Sequence, residues 1–182
     1  MSRRLVGLVL CALVTASSPG CFLMGARVLG SGWAPVDVQP AVGISVPLAT
    51  GTNLIVPVDV FASADSAGGC SGSVVEFSAG VAYMLPGSTD IWHGPGVMTY
   101  IGGGVSSVVS SFSDGATTAT GASPGAYVHA GSWLVESGGM IGFEVRYTMA
   151  AGPDFPGRDL SANGLQLMLV LFIPEMLENL NF

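Results

Sequence analysis

Apolar and polar residues alternate along most of this chain with a period of two, which is the period of a β-strand rather than of a helix. In the stretch GGMIGFEVRYTMAAG, residues 138–152, the residues of one side are all large and apolar: Ile141, Phe143, Val145, Tyr147 and Met149. The other side is small or polar and includes Glu144 and Arg146. This stretch therefore predicts an amphipathic strand that carries a pair of opposite charges, Glu144 and Arg146, on its polar face.

Six further stretches alternate in the same way: VDVQPAVGISVPL, NLIVPVDVFAS, SVVEFSAGVAYML, GVMTYIGGGVSSVVSSF, GAYVHAGSWLVE and ANGLQLMLVLF. Most have about 10–13 residues, and a tilted strand needs about 9–11 to cross a bilayer. A weaker eighth candidate is LMGARVLGSGW, residues 23–33. Membrane barrels favour even strand numbers. The pattern therefore predicts an all-β protein with a closed antiparallel up-and-down transmembrane β-barrel. The barrel covers 36–172, and the N-terminal segment 21–35 contains a candidate first strand that brings the count to eight.

The N-terminus has the order of a secretory signal peptide: two arginines, an apolar run of about a dozen residues and then small residues. This predicts a signal peptide at 1–20. The segment SSPGC resembles a lipoprotein box and makes Cys21 a candidate for lipidation, but cleavage near Ala16 or Ala26 stays open. Cys21 and Cys70 would then be the mature cysteines, and two cysteines alone do not decide whether they pair.

Charge is scarce and negative. Only 9% of residues are charged, against about 25% in typical soluble domains, and the net charge is −7 with five Arg and no Lys. Nucleic-acid binding needs Lys and Arg to neutralise phosphates, so a nucleic-acid partner is not expected. A surface that meets lipid does not need charged residues for solubility, which favours the bilayer as the main partner.

In a lipid barrel the apolar faces turn outward and the other faces line the interior, which in an eight-stranded barrel is just wide enough for side chains. We therefore predict an interior polar cluster that includes Glu76, Glu144 and Arg146. The alternative is that these charges lie on the solvated face of a soluble sheet. No spacing of His, Cys or acidic residues indicates a metal, cofactor or catalytic site.

Three connections are long and polar, at 63–73, 110–124 and 150–161, whereas ATGT (49–52) and ESGG (136–139) are short. Outer-membrane barrels have long loops outside and tight turns on the periplasmic side. These three loops are therefore the places where a surface ligand or lipopolysaccharide would bind.

The segments MTYIGGGVSS, GFEVRYTMAAG and DLSANGLQLMLVLF resemble the small eight-stranded outer-membrane β-barrels of the OmpA-like and opacity-protein-like group. The matching residues are the glycine-rich run 102–105, then Glu144, Arg146 and Tyr147, and finally Gly164, Leu165 and Phe172. The resemblance implies a place in the outer membrane of a two-membrane bacterium. Chains of that group end at the final aromatic, whereas this one continues as a tail, 173–182.

The function expected from these patterns is non-enzymatic: a barrel without a wide pore that is structural or presents its loops for recognition. One alternative is a soluble or lipid-anchored periplasmic barrel that binds an apolar ligand, with polar residues outside. Another is a lipid A-modifying enzyme, which would need a Ser–His pair. His129 and Ser132 are three positions apart, so a regular strand would point them to opposite faces.

Overall fold

The computed structural model describes residues 21–49, 53–86, 96–136 and 139–172, so the expected signal peptide 1–20 and the tail 173–182 lie outside the described residues. Eight antiparallel strands form one closed barrel in sequence order, with β1 also paired to β8. Their bounds are β1 Cys21–Leu29, β2 Val38–Ala49, β3 Leu54–Ala67, β4 Cys70–Met84, β5 Gly96–Ser113, β6 Thr118–Glu136, β7 Gly139–Ala150 and β8 Gly164–Phe172. The predicted fold class is confirmed.

Within the described ranges, no helix is long and apolar enough to cross a membrane.

The faces of the strands follow the alternation in the sequence. On β7 the apolar set points away from the barrel axis, with Phe143 59% and Val145 39% exposed, while Glu144 and Arg146 are buried inside. On β8 the outward residues are Leu165, Leu167 and Leu169, and Leu167 pairs directly with Val145. Directly paired residues share a face, so the outside becomes a continuous apolar surface.

The connections fall at two ends of the barrel. The connections 30–37, 68–69, 114–117 and 151–163 lie at one end of the barrel, which we call the loop end. We call the opposite end, where β1 begins and β8 ends, the turn end. The prediction of long loops at 63–73 and 110–124 is wrong, because strand pairing continues to Ala67↔Cys70 and to Ser113↔Thr118. The many Ser, Gly and Ala residues of these segments are typical of loops, but here they belong to extended hairpins.

The β3–β4 hairpin closes through Gly68 and Gly69, whose φ angles of 57° and 81° suit residues without a Cβ. The predicted first strand, 23–33, is displaced: β1 spans 21–29, and the segment 30–37 connects it to β2. Trp33 and Val36 of that segment are fully buried over the loop end. Glycines at 30 and 32 end the alternation, which explains why the sequence pattern was blurred there.

The barrel interior has three layers. At the turn end lies an apolar cluster of residues that includes Leu23, Ile55, Met98 and Trp133. At the loop end lies a second apolar cluster, which includes Trp33, Val108, Phe112, Phe155 and Leu160. Buried polar and charged side chains occupy the space between the two clusters.

Candidate functional site

Glu76 of β4 is the centre of the buried charged layer. Its Oε2 accepts a hydrogen bond from Arg27 Nη1 at 3.0 Å, and its Oε1 accepts from Arg146 Nε at 3.2 Å and Nη2 at 2.9 Å. Thr148 Oγ1 donates at 3.0 Å and Gln166 Nε2 at 3.2 Å. Glu76 is 0% exposed, so this one carboxylate is satisfied by two guanidinium groups and two neutral donors.

The donors reach Glu76 because the register of the barrel places them in one row. Arg27 pairs with Gln166 across β1 and β8, and Gln166 pairs with Arg146 across β8 and β7. All three therefore point into the interior at one height, opposite Glu76. We call this set, together with Thr148, the Glu76 cluster.

Arg146 is held by more than its ion pair with Glu76. Its Nη1 donates to Asp59 Oδ2 at 2.8 Å, and its Nη2 also donates to Ser78 Oγ. The guanidinium lies over the ring of Tyr127 at 3.5 Å and over the ring of Phe61 at 4.7 Å. Arg suits this position because its planar group can stack on rings and form forked hydrogen bonds at the same time.

Glycines make the room for these rings. A Cβ at Gly102 would lie 2.7 Å from His129 Nε2, and a Cβ at Gly80 would collide with Tyr127 Oη. The glycine-rich stretch of β5 therefore has a packing role, since its missing side chains leave space for the inward rings of β6.

Glu144 forms no hydrogen bond or ion pair with Arg146, although the two lie two residues apart on the same face of β7. Its Oε2 accepts a hydrogen bond from Tyr100 Oη and lies 3.4 Å from His129 Nδ1. A small cavity of about 10 Å³ lies beside this group, towards the turn end. The sequence thus placed Glu76, Glu144 and Arg146 inside the barrel, but they form two adjoining sites rather than one.

Two buried charged members of the layer, Arg27 and Asp59, were not among the predicted interior residues. Arg27 lies on the weakly patterned first strand, next to Gly25 and Ala26, where no face could be assigned. The charges of the predicted interior set could have pointed to Arg27, because Glu76 and Glu144 carry two negative charges and Arg146 neutralises only one. Asp59 stands in the alternating stretch NLIVPVDVFAS and was readable as inward-facing.

The remaining candidates for chemistry lie apart from one another. His129 is buried in the interior, whereas Ser132 faces outward and shares a hydrogen bond of 3.1 Å with Thr99. Cys21 is buried at the turn end and Cys70 lies at the loop end, and both are free. In the part of the chain that the structure describes, no group of three or more His, Cys, Asp or Glu could hold a metal.

The loop end is covered by two connections that hold each other. Arg158 donates from Nη1 to the carbonyl oxygens of Gly32 at 3.0 Å and Ala34 at 2.9 Å, and its guanidinium lies 4.9 Å from the centre of the Phe112 ring. An open groove of about 470 Å³ follows the segment 151–160 on the outside. The predicted loop 150–161 is thus a folded cover.

Asp114 shapes the turn of the β5–β6 hairpin. Its Oδ1 accepts hydrogen bonds from the backbone N–H of Thr117 at 2.8 Å and of Ala116 at 3.0 Å. These two hydrogen bonds, of which the one from Thr117 has the larger effect, hold the pKa of Asp114 below its usual value. This carboxylate therefore remains charged at the exposed tip of the hairpin.

A closed eight-stranded antiparallel barrel with an apolar outside and a charge-paired inside has the architecture of the small outer-membrane β-barrels. No protein-family model matches the sequence, and no curated protein matches it.

Solved structures do match this fold. Neisserial surface protein A has a TM-score of 0.59 and 15% identity, over 85% of this chain and 94% of that one. Ail, the attachment invasion locus protein of Yersinia pestis, has a TM-score of 0.52 and 9% identity, over 85% of this chain and 98% of that one. At these identities the likeness establishes the fold, and it confirms the predicted resemblance to small eight-stranded outer-membrane barrels.

Proposed function

We propose that this protein is a non-enzymatic β-barrel of the outer membrane of a two-membrane bacterium, which presents its loop end for recognition. The observation that carries the proposal is the distribution of faces. Large apolar residues cover the outside, and the described interior holds Arg27, Asp59, Glu76, Glu144 and Arg146. Lipid solvates such an outside, whereas water would not, because contiguous exposed apolar surface of this extent marks an interaction site.

The alternative of a soluble or lipid-anchored periplasmic barrel requires the opposite faces. Its apolar residues would line a ligand cavity and its charges would lie outside. The interior cavity found beside Glu144, at about 10 Å³, has room for no more than about one water molecule. A bulky apolar ligand has no place there, which supports the membrane assignment.

The interior also supports a barrel without a wide pore. The two apolar clusters close both ends, and the Glu76 cluster fills the centre with bonded side chains. A role as a general diffusion channel would require a continuous opening. Planar-bilayer recordings of the purified barrel are expected to show no steady conductance of the porin type.

Among the described residues, neither ring nitrogen of His129 has a hydrogen-bond partner, so His129 forms no Ser–His pair there, which supports a non-enzymatic role. His129 and Ser132 lie on opposite faces of β6, so Ser132 cannot pass a proton to His129. His93, the second histidine of the sequence, lies outside the described residues. An assay of lipid A before and after expression, by mass spectrometry, is expected to show no change in acyl chains.

Recognition would take place at the loop end, at the hairpin tips of 63–73 and 110–124 and at the cover 150–161. We assign the turn end to the periplasm, because the connection 151–163, the longest that the structure describes in full, lies at the loop end and outer-membrane barrels carry their longer loops outside. A surface ligand or lipopolysaccharide would therefore meet the loop end. The recognition surface would then lie among the sugars of the outer leaflet.

Lipidation of the candidate residue Cys21 can be tested directly. The side chain is fully buried in the apolar cluster at the turn end, and Cys21 pairs with Ser45 in the β1–β2 ladder. A thioether-linked diacylglycerol would have to leave this interior position. Intact-mass measurement of the mature protein separates the two forms, and we expect the unmodified cysteine.

Heat-modifiability tests the main proposal. The full chain is expressed in a two-membrane bacterium, the outer-membrane fraction is isolated, and boiled and unboiled samples are compared on a denaturing gel. We expect the protein in that fraction, with a mobility that shifts on boiling. Recovery in the soluble periplasmic fraction, or no shift, would overturn the proposal.

A further inference from the structure

A four-stranded sheet continues past the rest of the barrel at the loop end. Pairing between β2 and β3 ends at Ala41↔Ser63 and pairing between β6 and β7 ends at Gly125↔Ala150, whereas β3, β4, β5 and β6 stay paired to their tips. We call the residues 64–67, 70–73, 111–113 and 118–120 the extended sheet.

The two faces of the extended sheet differ. Its inner face includes Phe112, which is fully buried and packs edge-to-face against Trp33 at 5.8 Å and Phe155 at 5.0 Å between ring centres. Its outer face carries hydroxyl groups in two rows that cross the strands. One row is Ser66, Ser71, Ser113 and Thr118, and the other is Ser73, Ser111 and Thr120. We call this set the hydroxyl ladder.

Two Ser–Thr pairs of the hydroxyl ladder are hydrogen-bonded and keep further hydrogen-bonding capacity. Thr118 Oγ1 donates to Ser113 Oγ at 3.0 Å, and Thr120 Oγ1 donates to Ser111 Oγ at 3.1 Å. Each hydroxyl has one donor and two acceptor sites. Each pair can therefore still donate through its serine and accept through its threonine. A sugar hydroxyl, which is both donor and acceptor, matches this pattern.

The charges around the hydroxyl ladder disfavour phosphate. Asp114 lies in the turn beside the row that contains Ser113, and Asp65 belongs to the inner face of the same sheet, where it pairs with Gly72. Among the described residues of the loop end, Arg158 is the exposed cation, and its Nη1 is taken by two backbone carbonyls. Phosphate recognition rests on Lys and Arg forks, and the ladder has neither.

The position of the hydroxyl ladder identifies the occupant. The next outward row towards the membrane is Ala62, Val75, Val109 and Ala122, where the apolar band begins. The ladder thus stands directly above the lipid-facing surface, at the height of the saccharides of outer-leaflet glycolipids. We infer that the hydroxyl ladder binds the neutral sugar chain of the surrounding glycolipid and not its phosphates. This inference rests on the proposed outer-membrane location.

The chain offers a closely matched control for the test. Ser111→Ala with Thr120→Val removes one paired Ser and Thr of the ladder. Ser132→Ala with Thr99→Val removes another outward Ser and Thr pair of β5 and β6, also 3.1 Å apart, but near the turn end. Both double variants should fold, because the changed side chains face outward, and heat-modifiability of each verifies this.

The experiment titrates the isotope-labelled barrel in detergent micelles with the neutral oligosaccharide released from lipopolysaccharide and freed of phosphate. We expect amide shifts confined to the extended sheet, binding weakened roughly fivefold in the ladder variant, and no change in the control variant. Inorganic phosphate should not displace the oligosaccharide.

Three results would overturn the inference: no shifts in the extended sheet, equal loss in both variants, or displacement by phosphate. Self-association through this face, seen as a dimer in sedimentation, would also overturn it. If the protein fractionates as a folded outer-membrane barrel yet binds no oligosaccharide, the hydroxyl-ladder inference alone fails. If it does not reach the outer membrane, the proposed function fails first.

Discussion

Replacing Glu76 with Gln is the sharpest test of the charged interior. The substitution keeps the size and shape of the side chain but removes the charge, and it puts an NH₂ group where an oxygen accepts hydrogen bonds. Arg27 has Glu76 as its carboxylate partner, whereas Arg146 also has Asp59 at 2.8 Å. The variant therefore leaves Arg27 buried, 1% exposed, without its counterion.

The expected cost follows from this arrangement. Removing one partner of a buried ion pair destabilises a protein by about 3–5 kcal/mol, because the other charge is left unpaired. We expect Glu76→Gln to lie in that range. Glu144→Gln is the matched control, since it makes the same change in the same interior. It should cost about 1 kcal/mol, because the amide oxygen still accepts the hydrogen bond from Tyr100.

Urea unfolding of the barrel in lipid vesicles measures both variants. The folded fraction is read from the unboiled gel band and from the fluorescence of the buried Trp33 and Trp133. With an m-value of about 2 kcal/mol/M, a difference of about 2–4 kcal/mol moves the midpoint of Glu76→Gln about 1–2 M below that of Glu144→Gln. Equal midpoints, or a Glu76→Gln midpoint at the wild-type value, would refute the assigned role of Glu76.

Three further outcomes are expected. Val145→Arg puts a charge on the lipid face and should cost about 2–4 kcal/mol in vesicle unfolding if the site lies at the bilayer midplane, whereas an unchanged midpoint would contradict the outward assignment. Gly102→Val should lower the yield of heat-modifiable barrel, because its side chain collides with His129; normal yield would show that the interior can adjust. The turn lowers the pKa of Asp114, so the charged carboxylate stabilises the turn fully at pH values above the pKa that Asp114 has in the unfolded chain. This stabilisation is lost as the pH falls through the lower pKa of the folded protein. Amide exchange at Thr117 should lose protection below about pH 4 in the wild type, but show no such step in Asp114→Ala.

The residues that face outward could be predicted from the sequence, because an outward position requires only that its residue be apolar. Val145 and Leu167 pair across β7 and β8, yet each was assigned correctly from its own strand. Local alternation is sufficient for this purpose, since a period of two fixes which residues share a face.

The extents of the hairpins could not be predicted in this way. Apart from Phe112, Asp114 and Pro124, residues 110–124 are all Ser, Thr, Gly or Ala, a composition shared by loops and by exposed strands. What holds this segment as strand is the burial of Phe112 against Trp33 and Phe155. These contacts come from distant parts of the chain and leave no local pattern.

The partners of Glu76 could not be predicted from the sequence for the same reason. Glu76 accepts hydrogen bonds from residues 49, 70, 72 and 90 positions away in sequence. Arg27 on β1 and Gln166 on β8 reach it together only when these two strands pair, which is the step that closes the barrel. The cluster therefore cannot stabilise a separate hairpin, but it does stabilise the closed state. It follows that loss of Glu76 should weaken closure between β1 and β8 more than pairing within β5 and β6, whose ladder is complete without it.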